Sequence, residues 1–182
     1  MKTLLKTYKP VLVFLLTFFV VYGVLTFIYG MYLDWSKSGV IHPDFITYQV
    51  ASQTQTLLDF FGFNAKIQSV ATESWVRLYF NSRYMARIIE GCNAISIIIL
   101  FTAFIVAFSS TFKKTVVYLL VGGITIYIAN VIRIALLTVG LYHFPEYDHL
   151  LHGVFFPLMI YGMVFLLWVV WVRYVVNFKR AR

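Results

Sequence analysis

Apolar residues in this chain fall in long unbroken runs rather than in alternation. A helix needs roughly 20 such residues to cross a bilayer. Four stretches qualify, at 10–33, 91–112, 115–142 and 150–172, the third of which carries one charge, Arg133. The pattern predicts an all-α membrane protein: a bundle of four transmembrane helices, forming a single integral membrane domain over residues 1–182. Between the first two runs lies one sizeable polar segment, 34–90, read as an outer loop subdomain. In it, His42-Pro43-Asp44 marks a turn with Asp44 as the N-cap of a helix. Phe45, Ile46, Val50, Leu57, Leu58 and Phe61 recur at helical spacing among Gln49, Ser52, Gln53 and Gln55, up to a stop at Gly62. This is an amphipathic helix that lies on the membrane or caps the bundle. Val76, Leu78 and Phe80 then alternate with Arg77, Tyr79 and Asn81, a strand pattern. It is expected to pair with Lys66–Ala71 through the turn Thr72-Glu73-Ser74 as a β-hairpin.

Composition narrows the function. The 182 residues are 61% hydrophobic and 12% charged, with a mean hydropathy of +0.83. Soluble domains carry about 25% charged residues, so a water-soluble enzyme is excluded, as is a disordered chain. The net charge of +8 is explained by where the charges stand. Lys2, Lys6 and Lys9 precede the first run, Lys113 and Lys114 separate the second from the third, and Arg173, Lys179, Arg180 and Arg182 follow the fourth. All seven acids, namely Asp34, Asp44, Asp59, Glu73, Glu90, Glu146 and Asp148, fall on the other side, with Lys37, Lys66, Arg77, Arg83 and Arg87. The positive-inside rule therefore places both termini in the cytoplasm. The basic excess reads as a topology signal, and no nucleic-acid partner is expected. The first run is too long and too aromatic for a signal-peptide core and is read as a retained span. One cysteine excludes an internal disulfide framework or a Cys-rich zinc site.

Three residue types in the apolar runs call for a reason. Arg133 stands about nine residues before the end of its span, roughly 13 Å deep, where an arginine costs about 2.5–3.5 kcal/mol. Its near neighbour on the same face is Asn130. Cys92, the single thiol, stands at the mouth of the second run beside Glu90, which opposes thiolate formation. His149 and His152 open the fourth run at i, i+3 spacing. No third ligand accompanies them, so neither metal nor cofactor is expected. The topology puts Cys92, Arg133 and one histidine on the same side of the membrane. A thiol nucleophile needs a base and an oxyanion stabiliser, and these side chains can supply both. A non-enzymatic scaffold of an envelope export system, or a small transporter component using Arg133, remains open on the residues alone.

The ordered set Glu90-Gly91-Cys92-Asn93-Ala94-Ile95, then Asn130-Val131-Ile132-Arg133-Ile134, then the His149/His152 segment resembles the exosortase/archaeosortase family of membrane transpeptidases. The outer loop before the cysteine and the run Phe155–Gly162 look most like the exosortase F subfamily. Many members have Cys-Ser-Gly where this chain has Cys92-Asn93-Ala94. The resemblance implies a sortase-like cysteine protease or transpeptidase with Cys92 as nucleophile, Arg133 as oxyanion stabiliser and His152 as acid and base, with His149 the alternative. Asn130 would hold Arg133, and Arg77, Arg83 and Arg87 face substrate, lipid headgroups or solvent. It further implies a multi-pass protein of the bacterial inner membrane with its site on the outer, periplasmic side. The implied partners are exported proteins carrying a C-terminal sorting signal (short motif, transmembrane helix, basic tail), the bilayer, and an envelope acceptor nucleophile or water.

Overall fold

The computed structural model describes residues 2–38, 43–70, 73–108 and 111–176. Its helices are α1 (Lys2–Ser38), α2 (Phe45–Phe60), α3 (Ile95–Ala107), α4 (Phe112–His143) and a C-terminal helical stretch at 148–176. Three segments, Tyr8–Lys37, Phe112–His143 and Pro145–Tyr174, are long and apolar enough to cross a membrane. The second predicted span is a shorter element. Glu90–Cys92 form a 3₁₀ turn and Ala94 takes a left-handed conformation, so α3 begins only at Ile95. Its 13 residues extend about 20 Å, less than the roughly 30 Å hydrocarbon core.

The segment 34–90 is where the chain departs from an all-α reading. Asp44 caps α2, its Oδ1 accepting from the Ile46 and Thr47 amides at 3.1 Å each. The helix ends in a Schellman motif: Gly62, at φ +82°, donates to the Asp59 carbonyl, and Phe63 donates to the Leu58 carbonyl. The buried side of α2 is Thr47, Val50, Ala51, Thr54 and Leu58, whereas Phe45, Phe60 and Phe61 are exposed. Small and hydroxyl-bearing residues suit the close contact with α4, and Thr54 satisfies its hydroxyl on the Val50 carbonyl at 2.8 Å. Strands β1 (Ala65–Ser69), β2 (Trp75–Phe80) and β3 (Arg83–Ile89) follow as an antiparallel sheet in that order. β1 and β2 pair from Ala65↔Phe80 to Ser69↔Val76. The third strand was not expected from the hydrophobic pattern. It is joined to β2 by Asn81 and Ser82, at φ +49° and +64°, the primed-turn geometry of a two-residue hairpin. His42, Ala71, Thr72, Lys179, Arg180 and Arg182 lie outside the described residues.

Two cores result. One joins α2, the sheet and the C-terminal part of α4 through Val50, Leu58, Val76, Leu78, Phe80, Ile88, Val131 and Ile134. The other joins α3, α4 and the C-terminal helix through Phe101, Ile105, Ile126, Val164 and Trp171. The 32 residues of α4 run about 48 Å, so the helix serves both. Arg133 therefore stands in the part of α4 that packs on the sheet, where protein half-buries it. Helix α1 leans on α3, with the Phe14 ring edge-on to Phe104 at 5.9 Å and tilted against Phe108 at 4.4 Å. The rest of α1 presents apolar side chains outward, as a lipid-facing helix does.

Gly122 makes the α3–α4 approach possible, since a methyl group there would enter the Phe101 ring. Gly122→Ala is expected to destabilise the protein by about 1–3 kcal/mol, read as a lower unfolding midpoint in detergent micelles. Ser82→Gly removes left-handed strain of about 1–2 kcal/mol and is expected to raise that midpoint. An unchanged value for both would contradict the packing and the turn described here.

Candidate active site

Cys92 lies in a turn pinned from three directions. The Asn130 side-chain amide donates to the Cys92 carbonyl at 2.7 Å, fixing the turn to α4. Asn93, 1% exposed, donates through Nδ2 to the Tyr29 hydroxyl of α1 at 2.7 Å and to the Thr47 hydroxyl of α2 at 3.2 Å. Its Oδ1 accepts from the Ile95 amide at 3.0 Å, closing the first turn of α3. Tyr32 donates to Asp44 at 3.3 Å, and Lys37 pairs with Glu90 at 3.7 Å. Ala94 completes the turn at φ +67°, a conformation that L-residues adopt at a cost and glycine adopts freely. This is the position at which the Cys-Ser-Gly pattern has its glycine.

Asn130 was expected to hold Arg133, but its amide is used on the Cys92 backbone instead. It sits on α4 one turn before Arg133, so the same helix face carries the clamp for the thiol's turn and the guanidinium. Arg133 is half-buried, and its Nε is fully buried with no hydrogen-bond partner among the described residues. A buried donor without an acceptor costs about 1–3 kcal/mol.

His152 comes from the third direction. It lies in a π-helical turn, Leu151–Phe155, in which the Phe156 amide reaches back to the Leu151 carbonyl. The cause is Pro157 in the following turn: it has no N–H to donate and its ring crowds the carbonyl four residues earlier. Such π-turns recur at functional sites. Here the turn puts Asp148, His152 and Phe156 on one face.

Cys92, Arg133 and His152 line one cavity of about 450 Å³. α4 forms its floor through Ile134, Leu137, Thr138 and Leu141, β3 one wall, and Asp148, Phe156 and Pro157 the opposite wall. His149 is absent from that lining. Asp148, one helical turn before His152, was missed by sequence reasoning, although its i, i+4 spacing was the available signal. Of the three arginines on the sheet, Arg77 is held by Glu73, a contact that raises its pKa, and Arg83 is exposed beside the hairpin turn. Arg87 lies over the Trp75 ring at 5.7 Å and also borders the cavity.

Asn130→Ala is expected to destabilise the protein by about 1–3 kcal/mol, because the Cys92 carbonyl loses its partner. Ala94→Gly should be tolerated, whereas Ala94→Val, β-branched at positive φ, should lower the unfolding midpoint sharply. Equal midpoints for the two Ala94 variants would contradict the left-handed turn.

Neither curated proteins nor solved structures give a match to the chain. A family model described as transmembrane exosortase (Exosortase_EpsH) matches residues 4–172, a stretch that includes the cysteine turn, all of α4 and the histidine turn. With nearly its whole length matched, and with spans long and apolar enough for a membrane, this chain belongs to the transmembrane exosortase family.

Proposed function

We propose that the protein is a membrane-embedded cysteine transpeptidase that cleaves C-terminal sorting signals of exported proteins. The observation that carries this reading is the common cavity of Cys92, Arg133 and His152, drawn from three separate elements. The Cys92 thiol gives its proton to His152, and Sγ attacks the scissile carbonyl carbon, forming a tetrahedral intermediate. Arg133, which borders the cavity, donates to the oxyanion through its guanidinium. Collapse breaks the C–N bond as His152 hands the proton to the leaving amine. The thioester on Cys92 is then resolved by an envelope amine or by water, which loses its proton to His152 as the new bond forms and the thiol is released.

Positive-inside logic supports four membrane passages with both termini cytoplasmic and the cavity on the periplasmic side of the bacterial inner membrane. In this arrangement α3 crosses as a short helix, with the cysteine turn completing the passage. The substrate's transmembrane helix would lie against the bundle, its basic tail inside and its cleavage site level with Cys92. The outer segment 34–90 and the run Phe155–Gly162 favour the exosortase F subfamily. His152 is chosen over His149 because it borders the cavity.

The test compares the C-termini of envelope proteins in hosts expressing wild-type or Cys92→Ala protein at equal levels, by mass spectrometry. A defined set should keep its C-terminal helix and basic tail only in the mutant. His152→Ala should slow removal by at least about 100-fold, and Arg133→Ala by about 100-fold or more, while His149→Ala stays near wild type. Identical tails in the wild-type and Cys92→Ala hosts would overturn the proposal in favour of a scaffold or transporter.

A further inference from the structure

The sheet has one feature that catalysis by Cys92 does not by itself require. β3 is an edge strand: it pairs with β2 on one side and, among the described residues, with no strand on the other. Its residues Met85, Ala86, Arg87, Ile88 and Ile89 all border the cavity that holds Cys92. Successive side chains of a strand point to opposite faces of the sheet. The alternation is visible in β3 itself, where Ile88 is buried in the core and its neighbours Arg87 and Ile89 are exposed. Five consecutive residues of a strand can border one cavity only if the cavity runs along the strand's edge. Such an edge carries outward N–H and C=O groups of the backbone toward the site.

The edge also leads straight to the nucleophile. β3 ends at Ile89, and the turn Glu90–Cys92 follows without interruption. Sheet edges left open are templates for pairing with another extended chain, and a peptide laid on such an edge gains main-chain hydrogen bonds independent of its side chains. Five strand residues span about 16 Å, the length of about five substrate residues. The opposite wall, carrying Asp148, His152 and Phe156, closes the groove from the other side.

We infer that the substrate segment preceding the scissile bond binds as an added β-strand on the free edge of β3, which delivers its carbonyl to Cys92. The occupant is an extended peptide, because only another extended backbone matches a row of alternating donors and acceptors that ends at the thiol. This rests on the cysteine-peptidase reading above and adds how the substrate is held. It also accounts for the extra strand: β1 and β2 hold the sheet on α2, and β3 packs on α4 through Ile88 while presenting the docking edge.

The test uses the absence of any second cysteine in the chain. In a Cys92→Ala background, single cysteines are placed at Arg87 and Ile89, both exposed and on the same face of β3. Partner cysteines are scanned through the eight or so residues preceding the cleavage site of a substrate identified by its retained tail. Neighbouring strands hold paired Cα atoms about 4.5–5.5 Å apart, within disulfide range. Mild oxidation should join the position-87 cysteine to one substrate site several-fold more than to the adjacent sites. The position-89 cysteine should shift that preference by two residues. The sense of the shift reports parallel or antiparallel pairing. If tails are retained but both cysteines join one site, or all sites equally, or only a second copy of the enzyme, strand addition is overturned while the peptidase reading stands. If no tail is retained in Cys92→Ala, both fall together.

Discussion

One hydrogen bond, from the Asn130 amide to the Cys92 carbonyl, fixes the relation between the thiol and the helix that carries Arg133. Without it the cysteine turn would be tied only to α1 and α2, through Asn93 and the Lys37–Glu90 pair. The sulfur and the guanidinium would then belong to elements free to shift against each other. Both asparagines are 1% exposed, and both donate through their side-chain amide nitrogens. Buried amides of this kind are costly when unpaired and rigidifying when paired. Catalysis by positioned groups needs that rigidity, since misplacement by about an ångström costs about 100-fold in rate.

Membrane geometry and site geometry are coupled through the helix lengths. α3 is shorter than the hydrocarbon core, and α4 is longer. The shortfall leaves room for the cysteine turn, and the excess gives the sheet and α2 a helix to pack on. Between them forms a recess walled by protein, in which an arginine, a histidine and an acid can stand without facing lipid tails. Segment 34–90 and α4 depend on each other: Val131, Ile134 and Ala135 of α4 share one core with Val76, Leu78 and Ile88 of the sheet.

Much of this was legible in the sequence. The apolar runs of α1, α4 and the C-terminal helix are long, and Arg133 is the one charge within them, so their hydropathy alone identifies them. Asp44 and Gly62 bound α2 as cap chemistry predicts. Cys92, Arg133 and His152 stand out because thiol, guanidinium and imidazole are rare in apolar surroundings. What was hidden depends on tertiary contact. The start of α3 was misplaced because a left-handed alanine has no sequence signature. β3 was missed because the Asn81-Ser82 turn lacks the glycine that usually announces a two-residue hairpin, and because Met85, the extra residue at the irregular pairing, breaks the alternation. The buried side of α2 was only partly legible because it uses Thr47, Ala51 and Thr54 beside Val50 and Leu58 and leaves Phe45 and Phe60 outside. Asn130 was assigned to Arg133 on spacing, which cannot reveal a partner 38 residues away.

The central claim is that Cys92 carries the peptide through a covalent step. Its most direct test is to incubate the purified enzyme with a peptide spanning the cleavage site and to measure the intact mass, with and without hydroxylamine. The account predicts an adduct on Cys92 that hydroxylamine releases as a substrate hydroxamate, and none in Cys92→Ala. Cleavage that proceeds with no adduct and no hydroxamate, or that survives in Cys92→Ala, would contradict it.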